Sequence, residues 1–176
     1  MCILLLNGCS SPPPATTPTS QQQSANNLMD EKEMKKLLVE VQRQAGKPFR
    51  FLELRAGKAY FEVQVQDPMK PENADSYQCR SGTPLRKVPL RTSGASAEVL
   101  TQSSMPIGDL KLEALPALMQ AAEKQEKDLE GRQDPTILIK RGMKGDPEWN
   151  LYLPGSRKTV HVVATLSGKI LSIDSR

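Results

Sequence analysis

The amino-acid sequence predicts an α+β fold with two tandem units, each made of one helix packed on an antiparallel β-meander. Each half of the chain opens with an amphipathic apolar stripe and continues with four short segments separated by turn residues. This order recurs at a spacing of about 80 to 88 residues. Residue identity between the halves is weak, so the repeat is one of architecture. The two sheets can join edge to edge, which would leave one sheet face open as the natural binding surface.

The composition indicates that part of the chain lies outside any hydrophobic core. Of 176 residues, 38% are apolar, 4% are aromatic and 14 are proline. No stretch reaches the roughly 20 apolar residues of a spanning helix, which excludes a transmembrane bundle. Three cysteines and one histidine argue against a disulfide framework and a structural zinc site. We therefore place the folded part at residues 29–176.

The first residues predict that the protein is attached to a membrane. A short apolar run at residues 3–6 is followed by Asn7, Gly8 and Cys9. This pattern resembles the lipobox of bacterial lipoprotein signal peptides, in which a small residue before the cysteine permits cleavage. The resemblance implies that residues 1–8 are a signal remnant and that Cys9 is acylated on its thiol and on its new amine. Because each buried methylene contributes about 0.8 kcal/mol, a multiply acylated cysteine is an effectively permanent anchor in the bilayer.

Two further features of this terminus concern processing and sorting. No Lys or Arg precedes the apolar run, and the run is shorter than the core of a usual signal peptide, so we expect the native start to lie upstream. In lipoproteins of Gram-negative bacteria the residue after the acylated cysteine influences sorting, and aspartate there favours the inner membrane. Ser10 therefore implies an outer-membrane protein that faces the periplasm.

Residues 10–27 predict a solvated tether between the anchor and the folded part. These eighteen residues are Ser, Thr, Pro, Gln, Asn and Ala, with no charge and no apolar periodicity. Segment 9–28, which begins with the acylated cysteine, is long enough to hold a domain on the order of 30 to 55 Å from the bilayer.

The first unit, residues 29–92, opens with a predicted helix. Asp30 and Glu33 form an acidic capping box, and Gly46 with Pro48 ends the helix. Its stripe consists of Met34, Leu37, Leu38, Val41 and Ala45.

Four strands are predicted after this helix. The first two, 49–55 and 59–66, flank a hairpin signal, and the next two are 76–80 and 85–91. Pro84 and Pro89 confine the fourth strand to a sheet edge, because proline cannot donate a ladder hydrogen bond.

The second unit, residues 110–176, repeats this order after a linker at residues 93–109. Pro116 is tolerable only in the first helical turn, and Gly131 stops the helix. The stripe of this helix consists of Leu115, Leu118, Met119 and Ala122. Its predicted strands are 135–141, 149–153, 159–165 and 170–173.

The second unit also resembles PepSY-type domains, which are small extracytoplasmic modules with a helix on a meander. The features that carry the resemblance are the helix at 114–127, the aromatic-aliphatic strand at 149–153 and the closing segment 165–173. The tandem arrangement is similar to the secreted β-lactamase inhibitor proteins. These resemblances imply a non-catalytic module that binds or inhibits proteins, and they supply no catalytic residue.

The residues themselves offer no complete catalytic set. His161 is the only histidine, lies in an alternating segment and has no accompanying serine or cysteine motif, so we expect cross-strand packing or hydrogen bonding. The loop acids Asp67, Glu72 and Asp75 lack the spacing of a calcium loop. We predict no enzyme, no metal and no cofactor, and a hydrolase built on loop acids is the residual alternative.

Cys79 is the one cysteine inside the predicted folded part. If Cys9 is acylated and Cys2 is removed with the signal, Cys79 has no intramolecular partner in an oxidising compartment. Its strand position two residues after Tyr77 favours a buried small side chain, and a reactive or intermolecular thiol is the alternative.

The net charge of +4 is concentrated in one region. Residues 76–97 contain no acid and supply the candidate partner-binding cations Arg80, Arg86, Lys87 and Arg91. Such a basic edge suits anionic lipid, polysaccharide or an acidic protein. It lacks the interleaved aromatic residues of a stacking surface, so we predict no nucleic-acid partner.

These observations together predict a non-catalytic lipoprotein of the bacterial envelope. Cys9 holds it in the lipid bilayer of the outer membrane, and the tandem region binds a protein or peptide in the periplasm. The alternative is a structural or assembly component of an envelope complex that contacts its neighbours through the basic edge.

Overall fold

The computed structural model describes residues 27–92, 94–125, 131–142 and 145–176. The predicted signal remnant and most of the predicted tether lie outside these residues. The helices are α1 (Glu31–Ala45), α2 (Ala97–Ser103) and α3 (Leu115–Lys124), with 3-10 turns at Ile107–Asp109 and Leu112–Ala114. The strands are β1 (Arg50–Gly57), β2 (Tyr60–Gln66), β3 (Ala74–Arg80), β4 (Arg86–Leu90), β5 (Met105–Pro106), β6 (Thr136–Arg141), β7 (Pro147–Pro154), β8 (Thr159–Thr165) and β9 (Ile170–Ser175).

All described strands belong to one antiparallel sheet. Their order is β4-β3-β2-β1-β6-β7-β8-β9, and β5 pairs with the start of β1. The two halves of the chain meet where β1 pairs with β6, with Leu54 opposite Ile139 and Gly57 opposite Thr136. The predicted mixture of helices and antiparallel strands is confirmed, and the strands of both halves join edge to edge.

One face of this sheet carries the hydrophobic core. Alternate positions of a strand point to the same face, and the positions on this face are the buried apolar ones. Helices α1 and α3 contribute their stripes to the same cluster. The members from the central strands and helices include Met34, Leu38, Val41, Phe51, Leu54, Phe61, Val63, Leu115, Leu118, Ile137, Ile139, Trp149, Leu151, Val160 and Val162.

The start and end of α1 follow the predicted signals. The Asp30 carboxylate accepts hydrogen bonds from the backbone N–H of Lys32 at 2.9 Å and of Glu33 at 3.3 Å. The Glu33 carboxylate pairs with the Lys36 ammonium at 2.7 Å and does not accept the backbone N–H of Asp30 that would complete the capping box. Gly46 ends the helix with a φ of 87°, in the left-handed region that favours glycine.

The segment predicted as a linker is built into the fold instead. It contains α2 and β5, which the sequence did not indicate, because a seven-residue helix shows one buried position, Leu100, and β5 has only two residues. The Gln66 side chain donates to Thr101 Oγ1 at 2.9 Å, so α2 lies over the end of β2. Leu100 and Ala74 are buried apart from the main core. Helix α2 therefore covers one corner of the second sheet face.

The other predicted elements are present with small changes of length. Each of the eight predicted strands lies within two residues of its expected bounds, and β4 is at a sheet edge as its prolines indicated. Helix α3 begins at Leu115 with Pro116 in its first turn. No helix in the described ranges is long and apolar enough to cross a membrane.

Replacing Trp149 by alanine tests the shared core. Trp149 is fully buried between Ile139 of β6 and Ala164 of β8, and its indole N–H donates to the Leu166 carbonyl at 3.2 Å. We expect Trp149→Ala to lower the free energy of unfolding by about 3 to 5 kcal/mol, measured by chemical denaturation with circular dichroism. The control Val39→Ala removes a side chain that is 66% exposed and should change it by less than about 0.5 kcal/mol. Equal effects of the two substitutions on the free energy of unfolding would contradict the burial of Trp149 in the core.

Candidate functional site

The sheet face opposite α1 and α3 carries no helix except at the corner that α2 covers. We call it the open face. It is mainly polar, and its apolar members are few and separated. Its residues, read from the strand registers, include Glu53, Arg55, Tyr60, Glu62, Gln64, Ser76, Gln78, Arg80, Arg86, Val88, Thr136, Leu138, Lys140, Glu148, Asn150, Tyr152, His161, Val163, Thr165, Ser172 and Asp174. Such a surface fits recognition by hydrogen bonds and charges better than burial against an apolar partner.

The four predicted partner-binding cations are all exposed, but they do not form one cluster. Arg80 and Arg86 lie on the open face at the β3–β4 end, opposite Tyr60 and Gln78 respectively. Lys87 points to the other face, where its ammonium pairs with Asp75 at 2.9 Å. That hydrogen bond raises the pKa of Lys87. Arg91 follows the end of β4. The structure therefore brings together two of the four cations.

A depression of about 590 Å³ adjoins Arg80 and Arg86. Glu62 also lines it, and its carboxylate accepts a hydrogen bond from Ser76 Oγ at 2.8 Å. Neither arginine forms an ion pair with a carboxylate in the described part of the chain. This end of the open face is accordingly a basic corner with two uncompensated guanidinium groups.

The carboxylates of the first hairpin do not form an acid pair. Glu53 is ion-paired with Arg55, and Arg55 lies directly opposite Glu62. An arginine thus stands between the two acids on the same face. Arg55 compensates the charge of Glu53, and Glu62 accepts a hydrogen bond from Ser76, so the two acids do not face each other as an uncompensated carboxyl pair.

A second polar cluster lies on the other half of the open face. The rings of Tyr152 and His161, which are cross-strand partners, stack with centroids 4.4 Å apart and planes 4° apart. His161 Nε2 is 3.0 Å from Asn150 Oδ1. Burial lowers the pKa of His161 below its usual value of 6.5, so the ring is neutral at pH 7 and its Nε2–H can donate to that oxygen. The predicted cross-strand role of His161 is confirmed. Sequence reasoning missed Asn150 and Tyr152, whose only signal was strand alternation.

Cys79 is a free cysteine on the core side of the sheet, opposite Phe61. Its side chain is buried, and this burial raises the pKa of the thiol. The prediction of a buried small side chain is confirmed. A protonated, buried thiol is a poor nucleophile.

The remaining predicted positions contribute no site in the described residues. The Asp67 carboxylate accepts hydrogen bonds from the backbone N–H of Met69 and Lys70, and Asp75 is held by Lys87. Residues 27–92, 94–125, 131–142 and 145–176 contain no group of three side chains placed to hold a metal ion. Cys9 and Ser10 lie outside the described residues.

Comparison with known proteins identifies the architecture. No protein-family model matches the chain, and no curated protein matches its sequence. A crystal structure of a candidate lipoprotein from Clostridium difficile 630 superposes with a TM-score of 0.54 at 9% sequence identity. The two proteins share a fold. The match covers 86% of this chain and 99% of that chain.

The single histidine provides a pH test of the cluster around Asn150. Because the pKa of His161 is lowered on folding, the unfolded chain binds the proton more readily, and the free energy of unfolding should fall as the pH is lowered through about 6.5. The ring C–H resonances should titrate with a midpoint below 6.5, measured by proton NMR. His161→Gln should remove this component of the pH dependence. A midpoint at or above 6.5 would show that the ring is not held neutral by burial.

Proposed function

We propose that the chain is a lipid-anchored protein of the bacterial envelope that binds a protein or peptide partner through the open face, without catalysis. The observation that carries this proposal is the one-sided packing of the sheet. Helices α1 and α3 cover one face, and the face that they leave bare is lined by hydrogen-bonding and charged side chains. Such side chains allow recognition of a partner by hydrogen bonds and complementary charges.

Two observations support the anchor at Cys9. The residues up to Cys9 resemble a lipobox, and an uncharged tether separates them from the folded part. The neighbour of the same fold from Clostridium difficile is itself described as a candidate lipoprotein. Ser10 after the acylated cysteine favours the outer membrane, with the domain in the periplasm.

The proposed organisation is two related units, in line with the resemblance to PepSY-type domains and to the tandem inhibitor proteins. Helix α1 precedes β1 to β4, and α3 precedes β6 to β9, with each set of four strands adjacent in the sheet. The absence of a complete catalytic set among the described residues supports a binding module over a hydrolase.

A structural or assembly role is the second candidate. It is favoured by the basic corner, where Arg80 and Arg86 have no carboxylate partner in the described part of the chain. Association through these groups would weaken strongly with ionic strength, because exposed charges are screened by salt.

Metabolic labelling with an alkyne analogue of palmitate tests the anchor. The chain expressed from its natural gene should incorporate the label and partition into the membrane fraction, and Cys9→Ser should lose both properties. Cys79→Ser is the matched control and should keep the label, because its thiol is buried. Absence of label from a chain with Cys9 intact would contradict the acylation.

Site-specific photo-crosslinking in intact cells tests the binding surface. A benzophenone side chain at Gln64, on the open face, should give an adduct of defined mass, whereas the same group at the exposed Val39 of α1 should not. An adduct formed only at Arg86, and lost at high salt, would favour the assembly role. Adducts at Val39 alone, or none from any position, would contradict the use of the open face.

A further inference from the structure

A second depression on the open face has the features of a small ligand site. It has a volume of about 400 Å³ and is lined by residues of β6, β7 and β8, among them Lys140, Glu148, Asn150, Tyr152 and His161. This volume falls in the range of small-molecule sites. It lies on the opposite half of the sheet from the basic corner, separated by β1.

The floor of this depression contains a polar group without a partner. The Asn150 side chain is 7% exposed, and its Oδ1 is engaged by His161. Its Nδ2 is buried and has no hydrogen-bond partner in the described residues. A buried amide left unpaired destabilises the fold, and native proteins keep such groups rarely and for a reason. An acceptor supplied by a ligand would satisfy it.

Two opposite charges without ion-pair partners stand beside this amide. Lys140 of β6 and Glu148 of β7 are directly paired across the strands, and neither forms an ion pair with any residue that the structure describes. The Glu148 carboxylate instead lies against Gly142, where any larger residue would displace it. The glycine thus leaves room for the carboxylate on this side of the depression.

The cationic side of the depression is reinforced by Arg141. Its guanidinium donates to the carbonyls of Gly145 at 2.6 Å, Ser104 at 3.2 Å and Ser103 at 3.3 Å, and pairs with no carboxylate among the residues that the structure describes. These bonds fix the group while its charge stays uncompensated. The neutral His161 adds no charge, and the stacked Tyr152 holds its ring in place. The depression therefore has a cationic group, a carboxylate and, in the next row of the sheet, an unpaired amide beside them.

We propose that this depression binds a small zwitterion, namely a free amino acid or short peptide with its ammonium and carboxylate both available. The carboxylate lies at Lys140 and accepts from Asn150 Nδ2, and the ammonium donates to Glu148. A ligand with this charge pattern satisfies all three unpaired groups at once. The inference rests on the proposed function only in taking the open face as the binding surface.

NMR of the Asn150 side-chain amide tests the proposal directly. The probes are L-leucine and L-leucyl-L-leucine, with N-acetyl-L-leucine lacking the ammonium and L-leucinamide lacking the carboxylate. We expect a saturable shift of the Asn150 Nδ2 resonance with the zwitterions and at least about tenfold weaker binding of both singly charged analogues, because each removes one charge-assisted hydrogen bond. Comparing the affinities of L-leucine and L-leucyl-L-leucine shows whether the depression prefers a single amino acid or a dipeptide.

Variants on both sides of the depression complete the test. Lys140→Gln and Glu148→Gln should each weaken binding of the better zwitterion about tenfold or more. Lys158→Gln, in the exposed turn between β7 and β8, should leave it unchanged. Equal binding of N-acetyl-L-leucine would show an anion site and overturn the proposal, as would a shift that does not saturate with any probe. Crosslinking at Gln64 is independent of this result, so the two proposals fail separately.

Discussion

The pairing of β1 with β6 is the constraint on which the rest of the structure depends. It brings Leu54 and Ala56 against Ile137 and Ile139, and all four side chains are fully buried. Separating the halves would expose these residues and leave two unpaired strand edges in the middle of the sheet. Full burial of a large aliphatic side chain contributes about 1.5 to 3 kcal/mol, so the junction provides a substantial part of the stability of a chain with few aromatic residues.

A single sheet with one shared core also determines which surface is free. Because α1 and α3 both pack on the same face, the opposite face of all the central strands lies on one continuous surface. Helix α2 closes one corner of it through a buried polar network, in which Ser104 Oγ contacts Gln66 and accepts from Arg50 at 2.8 Å. Arg50 and Arg141 both donate to the Ser104 carbonyl, which fixes the end of α2 to both halves of the sheet. The basic corner and the depression around Asn150 both lie on the surface that α2 leaves uncovered.

Much of the fold could be predicted from local patterns in the sequence. The stripe of α1, its cap at Asp30 and the edge position of β4 follow from residue spacing, capping chemistry and proline, which act within a few residues. The candidate site was harder to predict from the sequence. Arg80, Arg86, Lys87 and Arg91 are neighbours in sequence, yet strand alternation turns Lys87 to the other face and the length of β4 separates Arg86 from Arg91. Asn150 gave no signal beyond strand alternation, because the role of an asparagine in a strand depends on the side chains that the fold places around it.

The sequence by itself determined α1, α3, the eight longer strands and which residues of each are apolar, since these depend on spacing along one segment. It also carries the residues that resemble a lipobox and the uncharged segment that follows them, which are patterns of neighbouring residues. Only the tertiary structure decided that the two meanders share one sheet through β1 and β6, that α2 is part of the fold, and that Lys140, Glu148 and Asn150 line one depression. These outcomes depend on contacts between residues distant in the chain, where strand order and register place side chains beside one another.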